Sequence, residues 1–279
     1  MTALRECVIA DYPRMRARWQ NDSMMFARTA IALAAMLPLT AFAELSNDTL
    51  LGPGLRSRPA YDGSDSRKAE FVPVVRYLGR PWFARSTQGV LEGGLRAELA
   101  PGLHVGAQLA YEPGRQTGES GFLEAHNLPD IKRGGSVGLH LEWDHKFGPM
   151  PVTLLVRGRK NVDADLGAQA DVRLSAGVFQ GGRFNAGVFT QAVWASSKSV
   201  SAFYGVTPAQ SVAYGLPAHD AGSGWLNTSF GLLWSIDLAP KWVVVGSFEQ
   251  RRLRGDAANS PLAERVSNGY ATAGLAYRF

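Results

Sequence analysis

The last ten residues, Tyr270 to Phe279, alternate in character and end on an aromatic ring. Ala271, Ala273, Leu275, Tyr277 and Phe279 share one parity, and small or polar residues fill most of the other. In an extended strand, alternate side chains point to opposite faces, so this segment has one apolar and one wet face. From Thr49 onward the same period of two recurs in segments of about ten residues, separated by turn-forming clusters, and helical periodicity does not take hold. A chain of many two-faced strands must either pack two sheets together or close on itself. A closed ladder pairs every backbone group, and that is the condition for crossing hydrocarbon with strands.

The opposite end favours closure in a membrane. Arg28 precedes an uncharged run, Thr29 to Thr40, followed by Ala41-Phe42-Ala43, a small-x-small cleavage pattern. A run of about 12 residues is too short to span a bilayer core of about 30 Å. Residues 1–43 therefore read as a secretory signal peptide, and residues 44–279 as the exported chain. Met24 and Met25 stand just before Arg28, so translation starting there would leave residues 1–23 outside the natural protein. For an exported chain, Leu275, Tyr277 and the terminal Phe279 resemble the C-terminal membrane-insertion signal of bacterial outer-membrane barrels. The resemblance implies recognition by the barrel-insertion machinery and a setting of outer-membrane lipid and lipopolysaccharide.

Composition is consistent with this class. The leader carries five of the 29 basic and three of the 24 acidic residues, and its removal lowers the net charge from +5 to +3. That balance gives no electrostatic case for a nucleic-acid partner. The single cysteine, Cys7, lies in the leader, so the exported chain has no thiol for a disulfide. After the leader, no stretch offers the 18 uninterrupted apolar residues of a spanning helix.

Strands are expected at Leu50–Ser57, Lys68–Leu78, Trp82–Ser86, Gln88–Leu99, Leu103–Glu112 and Ser136–His145. Others are expected around Val152–Arg159, Asp171–Val178, Arg183–Ser196, Asn227–Leu238, Lys241–Arg251 and Tyr270–Phe279. Ser136–His145 alternates most clearly: Val137, Leu139, Leu141 and Trp143 oppose Gly138, His140, Glu142 and Asp144. Leu155 breaks the pattern by standing on a wet parity, and Val243 and Val245 blur theirs. This gives an all-β transmembrane antiparallel barrel of about 12 strands. Its short turns, such as Ala100-Pro101-Gly102 and Ala239-Pro240, are assigned to the periplasm. The longer connections at Pro59–Arg67, Pro113–Arg133, Ser197–Gly224 and Gly255–Ser267 are assigned to the exterior. Both termini then fall on the periplasmic side, with Trp143, Phe147, Phe184, Trp234, Trp242, Tyr277 and Phe279 towards that rim.

The wet parity carries charges of both signs: Glu92, Arg96, Glu98, Glu142, Asp144, Arg157, Arg159, Asp171, Arg173, Glu249 and Arg251. Such residues either line a path for a charged solute or neutralise one another and fill the lumen. No catalytic, metal or cofactor-binding motif is present. The five histidines lack metal-ligand spacing, Ser136 and His140 sit in no nucleophile motif, and there is no Gly-x-Ser-x-Gly or phosphate loop. The expectation is therefore that the chain is not an enzyme.

The external loops are more individual. Phe203-Tyr204-Gly205-Val206-Thr207-Pro208-Ala209-Gln210 leads to Gly215-Leu216 and then Ala221-Gly222-Ser223-Gly224. Together with Pro59-Ala60-Tyr61-Asp62-Gly63-Ser64, Leu128-Pro129-Asp130-Ile131, the stretch from Leu253 to Pro261 and the final Gly274 to Phe279, this is similar to the MipA/OmpV family of outer-membrane proteins. Phe203-Tyr204 stands where that family often has the two rings reversed. The resemblance implies an outer-membrane barrel and a cell-envelope scaffold linked to murein remodelling, with a murein lytic transglycosylase and a murein synthase as partners. A narrow channel for small charged solutes and a surface adhesin acting through the loops are the alternatives. The glycines and prolines of the longest loop predict an ordered lid over the lumen.

Overall fold

The computed structural model describes residues 48–279. The expected signal peptide, residues 1–43, lies outside the described residues. Twelve strands form one closed antiparallel barrel in which each strand pairs with its sequence neighbours and β1 pairs with β12. They are β1 (Leu50–Pro59), β2 (Arg67–Leu78), β3 (Trp82–Thr87), β4 (Val90–Ala100), β5 (Leu103–Glu112) and β6 (Gly134–Phe147). The circuit continues through β7 (Met150–Asn161), β8 (Ala168–Gly181), β9 (Phe184–Ala195), β10 (Gly224–Ala239), β11 (Trp242–Leu253) and β12 (Ser267–Arg278). Closure between β1 and β12 places Leu50 opposite Arg278 and Ser57 opposite Ala271, which puts both ends of the described chain at one rim.

The parity read from the sequence sets the two faces. Leu139 on β6 is 65% exposed, whereas His140 and Glu142 beside it are buried. On β12, Leu275 and Phe279 point outwards while Tyr270 and Ala276 are buried inside. The outer face carries an aromatic cluster at the terminal rim: Trp242 stacks edge-on against Tyr277, and Tyr277 against Phe279, with centroids 5.3 and 4.9 Å apart. Trp143, His145 and Phe147 form a second such group. Exposed apolar rings at a barrel rim suit the interfacial zone of a bilayer.

The residues that broke alternation turn out to fill space. Leu155 is buried inside the barrel. Val243 packs with Leu50 and Ala276 into an apolar cluster flanked by Val74 and Val245, near the rim that holds both chain ends.

Helices do occur, which the period-two reading did not anticipate. Short ones stand in the long connections at the other rim: α1 (Gly121–Ala125), α2 (Ser197–Tyr204), α3 (Pro208–Tyr214) and α4 (Gly255–Asn259). Their start signals are local. Ser196 caps α2 by accepting from the Ser199 amide. Thr207 and Gln210 form a reciprocal capping box at the start of α3, and Pro208 occupies its first turn. No described helix is long and apolar enough to cross a membrane.

Candidate functional site: a plugged lumen under a helical lid

The inward parity of β3 to β8 builds a network of buried ion pairs. Register places Arg85 opposite Glu92, and Arg157 opposite Asp171. Arg85 donates from Nε to Glu92 at 2.5 Å and from Nη1 to Glu142, three strands away. Arg96 reaches the other oxygen of Glu142 at 2.9 Å. Arg157 bridges Asp171 at 3.0 Å and Glu92 at 3.1 Å, and Gln108 donates to Glu92 at 3.1 Å. Glu92 is only 1% exposed. Two cations and an amide therefore satisfy one carboxylate in a dry interior, the arrangement a buried charge requires.

The remaining candidate lumen residues lie around this centre. Arg159 is 3.4 Å from Glu112 and 3.9 Å from Asp171, a looser pairing. Arg173 lies over the buried Phe189 ring at 3.9 Å and donates to Ser175. Arg251 pairs with Glu249 at 3.0 Å and with Asp62 at 2.7 Å. Glu98 and Asp144 sit at exposed positions rather than in the dry interior: Glu98 pairs with Arg80, and Asp144 accepts from Thr153. His140 is buried, edge-on to Phe83 at 4.9 Å. Gly106 makes room for it, since a Cβ there would lie 2.2 Å from the imidazole.

Inward residues absent from the sequence-based set prove equally central. Arg85 anchors the network, and Arg56 and Arg58 on β1 converge on Glu70. The same parity rule identifies all three arginines, because Arg56 and Arg58 alternate with Leu55 and Ser57, and Arg85 with Ala84 and Ser86.

Above the network the long connections form an ordered lid. Leu123, Leu128, Val206 and Leu262 pack with Ala60 and Tyr61. Val200 and Tyr204 of α2 pack with Leu226, Leu253 and Ala257. Polar ties join loops far apart in sequence. Tyr204 donates to the Asp62 carbonyl at 3.0 Å, Ser260 donates to the Tyr204 carbonyl at 2.6 Å, and Arg115 donates to the Phe203 carbonyl at 2.8 Å. The Asp62 carboxylate latches the lid to the wall, taking Arg251 of β11 on one oxygen and the Tyr270 hydroxyl of β12 on the other. Burial alone would raise the pKa of Asp62, but the Arg251 guanidinium and the Tyr270 hydrogen bond outweigh it and hold the group below its ordinary value. Burial raises the Tyr204 phenol well above its usual range, so it remains a donor.

His104, Glu142 and Asp144 come close enough to share an ion. Glu142 is already held by two arginines, however, which removes the negative charge a cation would need.

The family model described as MltA-interacting protein MipA matches residues 51–279. The chain belongs to the MipA family. No curated protein matches it. Among solved structures it is similar to an outer-membrane channel of Pseudomonas putida F1, with a TM-score of 0.50 and 11% identity, covering 85% of this chain and 98% of that one. It is also similar to the NanC porin, with a TM-score of 0.38 and 6% identity over 83% of this chain and 100% of that one. The first likeness shows the fold alone. This MipA-family protein is an outer-membrane β-barrel of a Gram-negative envelope. Its tight turns and the ends of the described chain share one rim, and its helical lid stands at the other.

Proposed function

We propose that this protein is an envelope interaction protein whose barrel is closed at rest, and that it serves murein remodelling by holding a murein lytic transglycosylase at the outer membrane. One observation carries the reading. The lumen is obstructed at three levels: the lid, the Arg85–Glu92–Arg157–Asp171 network and the apolar cluster around Val243. A barrel so filled acts through its surfaces. The family's name, MltA-interacting protein, supplies the kind of partner. The periplasmic surface is small, so the partner contact would fall on the rim around Trp143, Phe147 and Trp242 and on the chain N-terminal to β1. Residues 1–43 serve as the leader that exports the chain, and Leu275, Tyr277 and Phe279 as the signal read by the insertion machinery.

The test is site-specific photo-crosslinking in intact envelopes from the turn residues Gly148 and Lys241, on the periplasmic rim. Adducts with a murein lytic transglycosylase are expected from this rim and not from Ala209 on the lid. Crosslinks confined to other outer-membrane proteins would defeat the proposal. A channel for small charged solutes is the second reading. The observation favouring it is that two chambers, one above and one below the Gln88–Gly89 turn, remain within the barrel.

A further inference from the structure

The barrel wall is incomplete on one side. β3 has six residues, and it pairs with β2 only from Arg76 to Leu78. The next contact up the wall is made by a side chain: the Val75 amide donates to Ser86 Oγ at 3.0 Å, and that hydroxyl faces the Val75 carbonyl at 3.4 Å. Backbone polar groups alternate in direction along a strand, so those of Pro73, Phe71 and Ala69 project the same way as those of Val75. Among the described residues no strand meets them. Pro73 has no N–H to leave unpaired, which suits an edge. Phe71, pointing outwards with no flanking strand, is 88% exposed.

The gap is a window with a closed frame. Above it, Lys68 at the top of β2 is tied to Glu119 of the 113–133 loop at 2.6 Å. Below it, the turn between β3 and β4 leans into the lumen. Gly89 has φ +79°, and a Cβ on it would lie 1.9 Å from Arg56 Nη1. An unpaired strand edge is tolerated at membrane depth only where polar space adjoins it. Such space is present: a cavity of about 180 Å³ reaches Pro73 and Val75 on the edge itself, and a second of about 220 Å³, meeting the first at Gln88, is lined by Val90 of the lowered hairpin, Glu112, Arg56 and Arg58.

Arg56 gives that cavity its chemistry. It is 6% exposed, and its acid neighbour Glu70 stands 3.8 Å away, already held by Arg58 at 2.8 Å and Lys68 at 3.4 Å. Lys68 has a second, closer carboxylate in Glu119 at 2.6 Å, so Arg56 and Arg58 divide Glu70 between them, and with Arg58 the nearer of the two, the Arg56 guanidinium keeps only a long contact as its counter-charge. Apolar surface outside the window and unbalanced positive charge inside it match one kind of molecule.

We propose that the cavity behind the window binds a single-chain anionic amphiphile drawn sideways from the outer leaflet, its head group on Arg56 and its chain leaving past Phe71. This site is independent of the murein-linked role, and either can fail without the other. The route avoids the lid, which is why a sealed lid and a binding chamber coexist.

The test uses residues 44–279 in lipid nanodiscs, titrated with a fluorescent long-chain fatty acid and with its methyl ester. Saturable binding of the acid is expected, weakened at least tenfold for the ester and by Arg56→Gln, and partly restored by Arg56→Lys. Retained heat-modifiability in gel electrophoresis checks that each variant folds. A fatty acid carrying a mid-chain diazirine should label Phe71, Val90 and Leu91 in preference to the rest of the lipid-facing belt. Equal binding of acid and ester, unchanged binding by Arg56→Gln, or labelling spread evenly around the barrel would each overturn the proposal.

Discussion

Glu92 shows how one inward side chain stabilises a barrel without a conventional core. Its carboxylate is shared by Arg85, Arg157 and Gln108, so Glu92→Ala removes one negative charge from a buried network and leaves Arg85 dependent on Glu142 and Arg157 on Asp171. The expected cost is about 3–5 kcal/mol, read as a lower urea midpoint for loss of the folded band in gels. Arg159→Gln, at longer distances from its partners, should lower the same midpoint by less than Glu92→Ala does. Asp62 governs a different property. Its pKa is lowered in the folded state, so its contribution to lid stability is full above the unfolded value and is lost as pH falls through the folded one. The lid should therefore resist proteolysis at neutral pH and loosen only at a pH below the ordinary aspartate range. Asp62→Asn should release it at neutral pH; a lid that opens already at about pH 6 in the unaltered protein would contradict this. Much of this chemistry was legible, since parity alone assigned Glu92, Glu142, Arg157 and Asp171 to the inner face. Which of them touch was not legible, because Arg85 meets Glu142 across three strands and that distance depends on barrel curvature. The Asp62–Arg251–Tyr270 latch joins positions some 200 residues apart in sequence and left no local signal.

Among the elements, the strands are written in period two and the lid helices in caps. A strand with one face in lipid tolerates no charge there. Leu139→Arg, on the outer face of β6, should destabilise the barrel by about 2–4 kcal/mol, measured by the same urea midpoint. The strand assignment held where alternation was clean, as in β6, and its ends moved by a few residues because turns impose no sharp polarity change. The helices α2 and α3 were missed for a physical reason. Each is eight residues or fewer, too short for an apolar stripe to repeat; α2 is held by Val200 and Tyr204 packed within the lid, and α3, with no fully buried side chain, rests on its capping box. Their signals were present in Ser196 and in the Thr207-Pro208-Ala209-Gln210 capping box. Thr207→Ala should weaken α3 by about 1 kcal/mol, seen as faster amide exchange confined to residues 208–214.

At the scale of the molecule, the fold reconciles a modest apolar content with life in a membrane by turning the usual order inside out. Apolar side chains face lipid, while charges pair within. The closed ladder leaves one interruption, beside β3, and it adjoins a polar chamber. The shape of the barrel was legible from the number of two-faced segments and the alternation of short and long connections. Whether its lumen was open was not, since the same charges could line a pore or fill one; the contacts of Arg157 and Arg85 favour filling. Planar-bilayer recording from refolded residues 44–279 tests this most directly. The closed barrel predicts a silent bilayer at neutral pH with folding verified by heat-modifiability, and steady stepwise conductance from the unaltered protein would contradict it.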